Sequence, residues 1–182
     1  MNTTLEQRVK AFVQLSKLME SLSQQSNWPG FDCGLTEDEY QSANEVVATQ
    51  VSYNGWFTEE NTRKAIGEWA KSLTKENIDN WIRAYQVPDY HEQPHTVAII
   101  CAGNIPMVGF HDILCVLLSG HKALVKLSSD DARLIPLFLF LLMKWEPTFR
   151  ESILWAEGKL ENFHRIIATG SDNTSRYFHA YF

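Results

Sequence analysis

The chain has 182 residues, 45% of them hydrophobic and 21% charged, and a formal net charge of −6. That balance belongs to an ordinary globular protein long enough to bury a sizeable core. The acidic sign argues against a nucleic-acid partner, and no Lys/Arg cluster or interleaving of basic and aromatic residues offsets it. The longest apolar run, Ile135 to Met143, is well short of the roughly 20 residues that cross a bilayer, so no membrane span is expected. Three cysteines without metal spacing point to free thiols. Residues 1–25 lack signal-peptide character, so the expected location is cytoplasmic.

Leu5, Val9, Phe12, Leu15, Leu18 and Leu22 step by three and four, which predicts an amphipathic helix stopped at Ser26-Asn27-Trp28-Pro29-Gly30. Thr36 and Glu39 form a capping-box pair ahead of a helix to about Val51. Thr58 opens a third helix through Ile66, Trp69 and Leu73, and Thr74 a fourth through Ile78, Trp81, Ile82 and Tyr85. Aromatics at this spacing are read as packing surface rather than a cofactor pocket. Residues 1–90 therefore read as a helical layer packing on the sheet of an α/β region over residues 91–182. Val87–His95, with Pro88 and Pro94, is the linker between the two.

Thr96–Ser129 organises the rest. Val97 to Cys101 is a β-branched apolar run suited to a strand buried on both faces. Ala102-Gly103-Asn104 suits a tight turn, and Pro106 a helix start. Val108 to Leu118 has helical spacing, Ser119-Gly120 stops it, and Ala123 to Leu127 is a second strand. Strand, turn, helix, strand is a βαβ unit, which places ligands at the carboxyl ends of its strands. Asp130 and Asp131 precede a helix whose first turn holds Pro136 and which ends near Trp145-Glu146-Pro147. Ile153–Ala156 and Arg165–Ala168 are two further strands, and Thr169-Gly170-Ser171-Asp172 leads into a helical stretch from Asn173. The expected fold is a Rossmann-like, doubly wound, mainly parallel sheet with helices on both faces.

A turn feeding a helix after a strand exposes unpaired N–H groups and a partial positive charge, which suits phosphate. Thr169-Gly170-Ser171 is such a turn and is equally an ordinary N-cap. The dinucleotide fingerprint G-x-G-x-x-G is absent, as is a P-loop. The six histidines lack HExxH or Cys/His spacing, so no metal is expected. His111 and Asp112, adjacent on a helix, are expected to diverge.

Val97–Pro106, then Leu118-Ser119-Gly120, Ala123–Ser129 and finally Ala168-Thr169-Gly170-Ser171, resembles the coenzyme-binding half of the aldehyde dehydrogenase superfamily. Within it, the chain most resembles the acyl-CoA reductase family of bacterial bioluminescence, the fatty-acid reductase. The likeness is densest over about Thr96–Ser171, and that superfamily binds its nicotinamide coenzyme without the usual glycine fingerprint. The resemblance implies an NADPH-dependent acyl-CoA reductase that reduces a fatty acyl thioester to an aldehyde through an acyl-cysteine intermediate, with acyl-CoA or another acyl thioester as substrate. Asn104 matches the asparagine that stabilises the oxyanion. Ala102, Gly103, Lys126, Ser128, Ser129, Gly170 and Ser171 fall at coenzyme-binding positions. Lys126 would meet the adenosine ribose or its 2′-phosphate, and Gly170 with Ser171 the pyrophosphate. Ser129 stands where NAD-preferring members often carry a glutamate, and a serine can donate to a 2′-phosphate that a carboxylate would repel. NADP(H) is therefore expected over NAD.

The family's nucleophilic cysteine belongs to a second, catalytic domain. None of Cys33, Cys101 and Cys115 matches that position; Cys101 and Cys115 read as buried, inert thiols and Cys33 as part of a turn-rich segment. The expectation is a coenzyme-binding portion inactive alone, able to self-associate through apolar surface meant for its partner domain. The alternative is a stand-alone, non-catalytic nucleotide-binding or interaction module of the same fold.

Overall fold

The computed structural model describes residues 3–170. Ser171 and the helix expected from Asn173 lie outside these residues. The helical layer comprises α1 (Leu5–Ser23), α2 (Glu37–Ala48), α3 (Glu59–Ser72) and α4 (Lys75–Tyr85). Threonine opens each of the four. Thr4, Thr36, Thr58 and Thr74 accept the backbone N–H three residues on, and Gln7 and Glu39 complete capping boxes on α1 and α2. α2 stops at Ala48, short of Val51, because Gln50–Ser52 tightens into a separate 3-10 turn.

After the linker come β1 (Thr96–Ile100), α5 (Phe110–Leu118), β2 (Lys122–Lys126), α6 (Leu134–Trp145), β3 (Ile153–Trp155) and β4 (Arg165–Ala168). The strands form one all-parallel sheet in the order β3-β2-β1-β4. This α/β architecture is compatible with a Rossmann-like fold. Val97, Ile99, Ala123, Val125 and Ile153 share one hydrophobic cluster with Phe12, Leu15, Leu18 and Met19 of α1 and with α5 and α6. Phe12 meets Phe149 edge-on at 5.9 Å between centroids. The helical layer and the sheet are thus sealed by a common core.

Arg8 locks that junction. Its side chain is 1% exposed and donates to the carbonyls of Thr3, Pro88, Asp89 and Leu118. Burial lowers its pKa, the nearby Asp89 opposes that shift, and the four carbonyls satisfy the guanidinium.

Three expectations need correction. β1 and β2 each lie one residue earlier than predicted, so Cys101 and Leu127 fall just past their ends. α5 begins at Phe110, not near Pro106 or Val108, because Met107 takes a left-handed φ of +60° and breaks any helix entering before it. The link from β3 to β4 must cross β2 and β1, yet residues 156–164 carry no helix; Leu160 is its buried apolar residue. No helix among the described residues is long and apolar enough to cross a membrane.

Candidate functional site

The carboxyl ends of β1 and β2 are held against each other by a glycine. A Cβ on Gly103 would fall 2.4 Å from Ser128 Oγ and 2.7 Å from Ser128 Cβ, closer than real side chains allow. Gly103 and Ser128 are therefore packed backbone to side chain. Ser128 also caps the 3-10 turn Ser129–Asp131 by accepting the Asp130 N–H at 3.2 Å. Gly109 has a similar duty, since a Cβ there would fall 2.6 Å from Cys101 Cβ.

Asp131 fixes the other side of the loop. It is 1% exposed, and its Oδ2 accepts the Met107 N–H at 2.7 Å, bridging the loop after β1 to the start of α6. Oδ1 has no hydrogen-bond partner among the described residues. Burial pushes this carboxyl up to about 6, against the opposing pull of the Met107, Leu134 and Ile135 backbone N–H groups.

The residues expected to face coenzyme occupy this rim in different ways. Asn104 is exposed at the carboxyl end of β1, and Ala102 half-buried beside it. Ser129 is exposed and donates to Asp130 Oδ1 at 3.4 Å. Lys126 turns its ammonium to the Gly158 carbonyl at 2.8 Å, on the β3 side. Gly170 is exposed one residue past Thr169, whose N–H reaches the Ile100 carbonyl at 3.3 Å. Ala102, Gly103, Asn104, Ser128, Ser129 and Gly170 therefore cluster around the ends of β1, β2 and β4. An exposed rim bearing an amide, a hydroxyl and an ammonium is chemically suited to the ribose and phosphates of a nucleotide.

Three residues of this rim carry no recognisable sequence signal. Asn54 Nδ2 reaches the carbonyls of Gly103 (3.5 Å) and Asp130 (3.3 Å), tying the helical layer to both turns. Asn54-Gly55 is a turn dipeptide, but nothing local names its partners. Next to it, the Arg133 guanidinium lies 4.1 Å from the centre of the Tyr53 ring.

The thiols are unsuited to attack. Burial pushes Cys101 up to about 12 and Cys115 up to about 11, with Asp112 adding to both, so little thiolate exists near neutrality. Cys33 is buried despite its turn-rich setting, whereas Cys115 is only half-buried and faces an opening between α4 and α5. That cleft, about 520 Å³, is lined by Trp81, Tyr85 and Pro88 on one side and His111 and Cys115 on the other. The aromatics of α4 are thus not all packing surface. His111 Nδ1 also lies 3.4 Å from Asp112 Oδ1, nearer than helix geometry suggested.

At the opposite, amino-terminal end of the sheet, His121, His95 and His164 immediately precede β2, β1 and β4. Their rings touch in series, with His91 stacked on His121 at 4.1 Å. His121 Nδ1 accepts the His95 backbone N–H and His164 Nδ1 that of Thr96. Burial, then His91, His95 and Arg8, lower the pKa of His121 to about 4. No group of three or more metal-ligating side chains is disposed around a common point among the described residues. Comparisons with protein-family models, curated proteins and solved structures return no match.

Proposed function

We propose that this chain is the coenzyme-binding portion of an NADPH-dependent acyl-CoA reductase, with a doubly wound sheet of which β3-β2-β1-β4 is the first half. The observation that carries the reading is the seating of Gly103 on Ser128, which sets Asn104 and Ser129 on one exposed rim at the carboxyl ends of adjacent parallel strands. The strand order reverses between β1 and β4. In parallel α/β sheets that reversal opens the crevice where nucleotides bind.

In this reading Lys126 and Ser129 meet the adenosine ribose and its 2′-phosphate, and Ala102 and Gly103 let backbone approach the coenzyme closely. Asn104 supplies an amide N–H to the oxygen on which negative charge develops. The bound coenzyme supplies the hydride. In this reading the nucleophilic cysteine belongs to a second, catalytic domain, which fits the burial of Cys33 and Cys101 and the raised pKa of Cys101 and Cys115. The same thiols favour a second reading, a nucleotide-binding module of this fold that carries out no chemistry itself.

Titration of the full chain with NADPH and NADH tests the coenzyme. NADPH should bind more tightly, and Lys126→Ala should weaken it by about tenfold, as loss of one charge-assisted contact does. Unchanged affinity in that variant refutes the ribose role, and no nucleotide binding at all refutes the reading. Acyl-thioester reductase activity in the parent protein, abolished by Asn104→Ala, separates the reductase from the non-catalytic module.

A further inference from the structure

We propose that Arg133, held by the ring of Tyr53, is the residue that distinguishes a 2′-phosphorylated nucleotide from an unphosphorylated one at this rim. The inference deepens the coenzyme reading above and rests on it.

Arg133 lies four residues after Ser129, just past the turn that begins there, as the N-cap residue of α6. Among the described residues its guanidinium makes no hydrogen bond or ion pair; its partner is the Tyr53 ring, 4.1 Å from Cζ to the ring centre. A guanidinium centred over an aromatic ring makes a cation–π contact that leaves its N–H groups available to a bidentate anion. The contact also removes rotamer freedom before a ligand arrives, so less is lost on binding.

Tyr53 is itself placed by the site. It adjoins Asn54, whose amide spans the carbonyls of Gly103 and Asp130 and so anchors this segment beside both turns. Tyr53 is 64% exposed and Trp56 81% exposed, an unusual pair of large aromatic surfaces to leave in water beside a polar rim. Of the two carboxylates in the preceding turn, Asp131 is buried and accepts the Met107 N–H, Asp130 accepts the Ser129 hydroxyl, and neither pairs with Arg133. A carboxylate at this point makes a second cation valuable, since Lys126 on the far side of the turn is drawn toward Gly158. A phosphate monoester satisfies the fork that no carboxylate of the described residues fills.

Calorimetric titration of the full chain with NADPH, NADH, adenosine 2′,5′-bisphosphate and 5′-AMP tests this. Arg133→Ala should weaken NADPH and the bisphosphate by about tenfold or more and leave NADH and 5′-AMP within about twofold. Arg133→Lys, which keeps charge but loses the fork, should recover only part of the loss, and Tyr53→Leu should show the same selective loss in smaller degree. Equal weakening of all four ligands, or unchanged NADPH affinity, overturns the role of Arg133 while leaving the coenzyme reading intact. A wild-type chain that binds NADH and 5′-AMP without preferring their 2′-phosphorylated counterparts overturns both the role of Arg133 and the NADPH preference, and leaves only nucleotide binding at the rim. A wild-type chain that binds none of the four overturns the coenzyme reading as well.

Discussion

Asp131 Oδ2 accepts the backbone N–H of Met107 at 2.7 Å and thereby holds a fully buried methionine at a φ of +60°. A non-glycine residue in that region is strained and persists only where its surroundings dictate it. The pair closes the loop that presents Asn104.

Removing the acceptor should therefore be costly and neutralising it should not. Asp131→Ala leaves the Met107 N–H buried without a partner, a loss of about 1–3 kcal/mol, or roughly 2–4 °C of Tm per kcal/mol in a chain of this size. Asp131→Asn keeps an acceptor oxygen and abolishes a buried charge. The folded pKa is raised to about 6, so the stability linked to this carboxyl is present at low pH and lost as pH rises through 6. Asp131→Asn should match or exceed wild type at pH 8 and lose that advantage by pH 4.5. Urea denaturation at both values decides; an equal deficit at each sinks the idea.

The seating of Gly103 on Ser128 makes a sharper steric prediction. Gly103→Ala drives a methyl into Ser128 Oγ and Cβ and should destabilise by about 1–3 kcal/mol through overpacking. Ser128→Gly in the same chain removes the two closest clashing atoms, leaving Asp130 Cβ at 2.9 Å, and should recover part of that loss, net of the missing cap. Strictly additive losses in the double variant would show that the two residues are not in contact.

Histidine at the head of the strands gives the opposite pH sign. His121 is held neutral, its Nδ1 occupied by the His95 N–H, and its folded pKa is lowered to about 4. The folded state then binds fewer protons than the unfolded one, so stability is complete above about 6.5, the ordinary histidine value, and falls as pH drops toward 4. The neighbours His91, His95 and Arg8 disfavour the charge when the ring protonates. His121→Asn preserves an acceptor near the Nδ1 position and cannot titrate, so its thermal stability should change less between pH 7 and 4.5 than that of wild type. An identical acid slope in the variant would assign the effect elsewhere.

Thiol chemistry should separate the cysteines by access. With Cys33 and Cys101 buried and both Cys101 and Cys115 pushed up to 11 or above, native protein at pH 8 should react slowly with a disulfide reagent, Cys115 first. Unfolded protein should release all three thiols at once. Rapid native labelling of Cys101 would contradict its burial against Gly109.

The helices of the amino-terminal half were legible because local rules decide them: Thr36 with Glu39, Thr58 and Thr74 stand where caps are found, and the apolar stripe of α1 faces the core. The four strands were legible as short β-branched runs. Met107 was not, because a left-handed methionine is imposed by a carboxylate 24 residues away, and no window of sequence contains that contact. Pro106 looked like a helix start for the same reason. Residues 156–164 misled less by content than by absence, since a crossover without a helix has no periodicity to read. At the rim, the turns that hold Asn104 and Ser129 were read from their small residues and their place after strands. Asn54, Tyr53 and Arg133 join them only through tertiary packing between the helical layer and the sheet.

Arg8 binds carbonyls at Thr3, Pro88, Asp89 and Leu118, the last of them 110 positions away. Such contacts form only after long stretches of chain have been brought together, which slows folding relative to a bundle of local helices. Until α5 is in place, Arg8 Nε lacks its Leu118 acceptor, although its terminal nitrogens already have Thr3 within five residues. A chain divided near residue 90 would keep the guanidinium with the Thr3, Pro88 and Asp89 carbonyls on one fragment and leave the Leu118 carbonyl on the other, so the two fragments would lose the hydrogen bond through which Arg8 joins them.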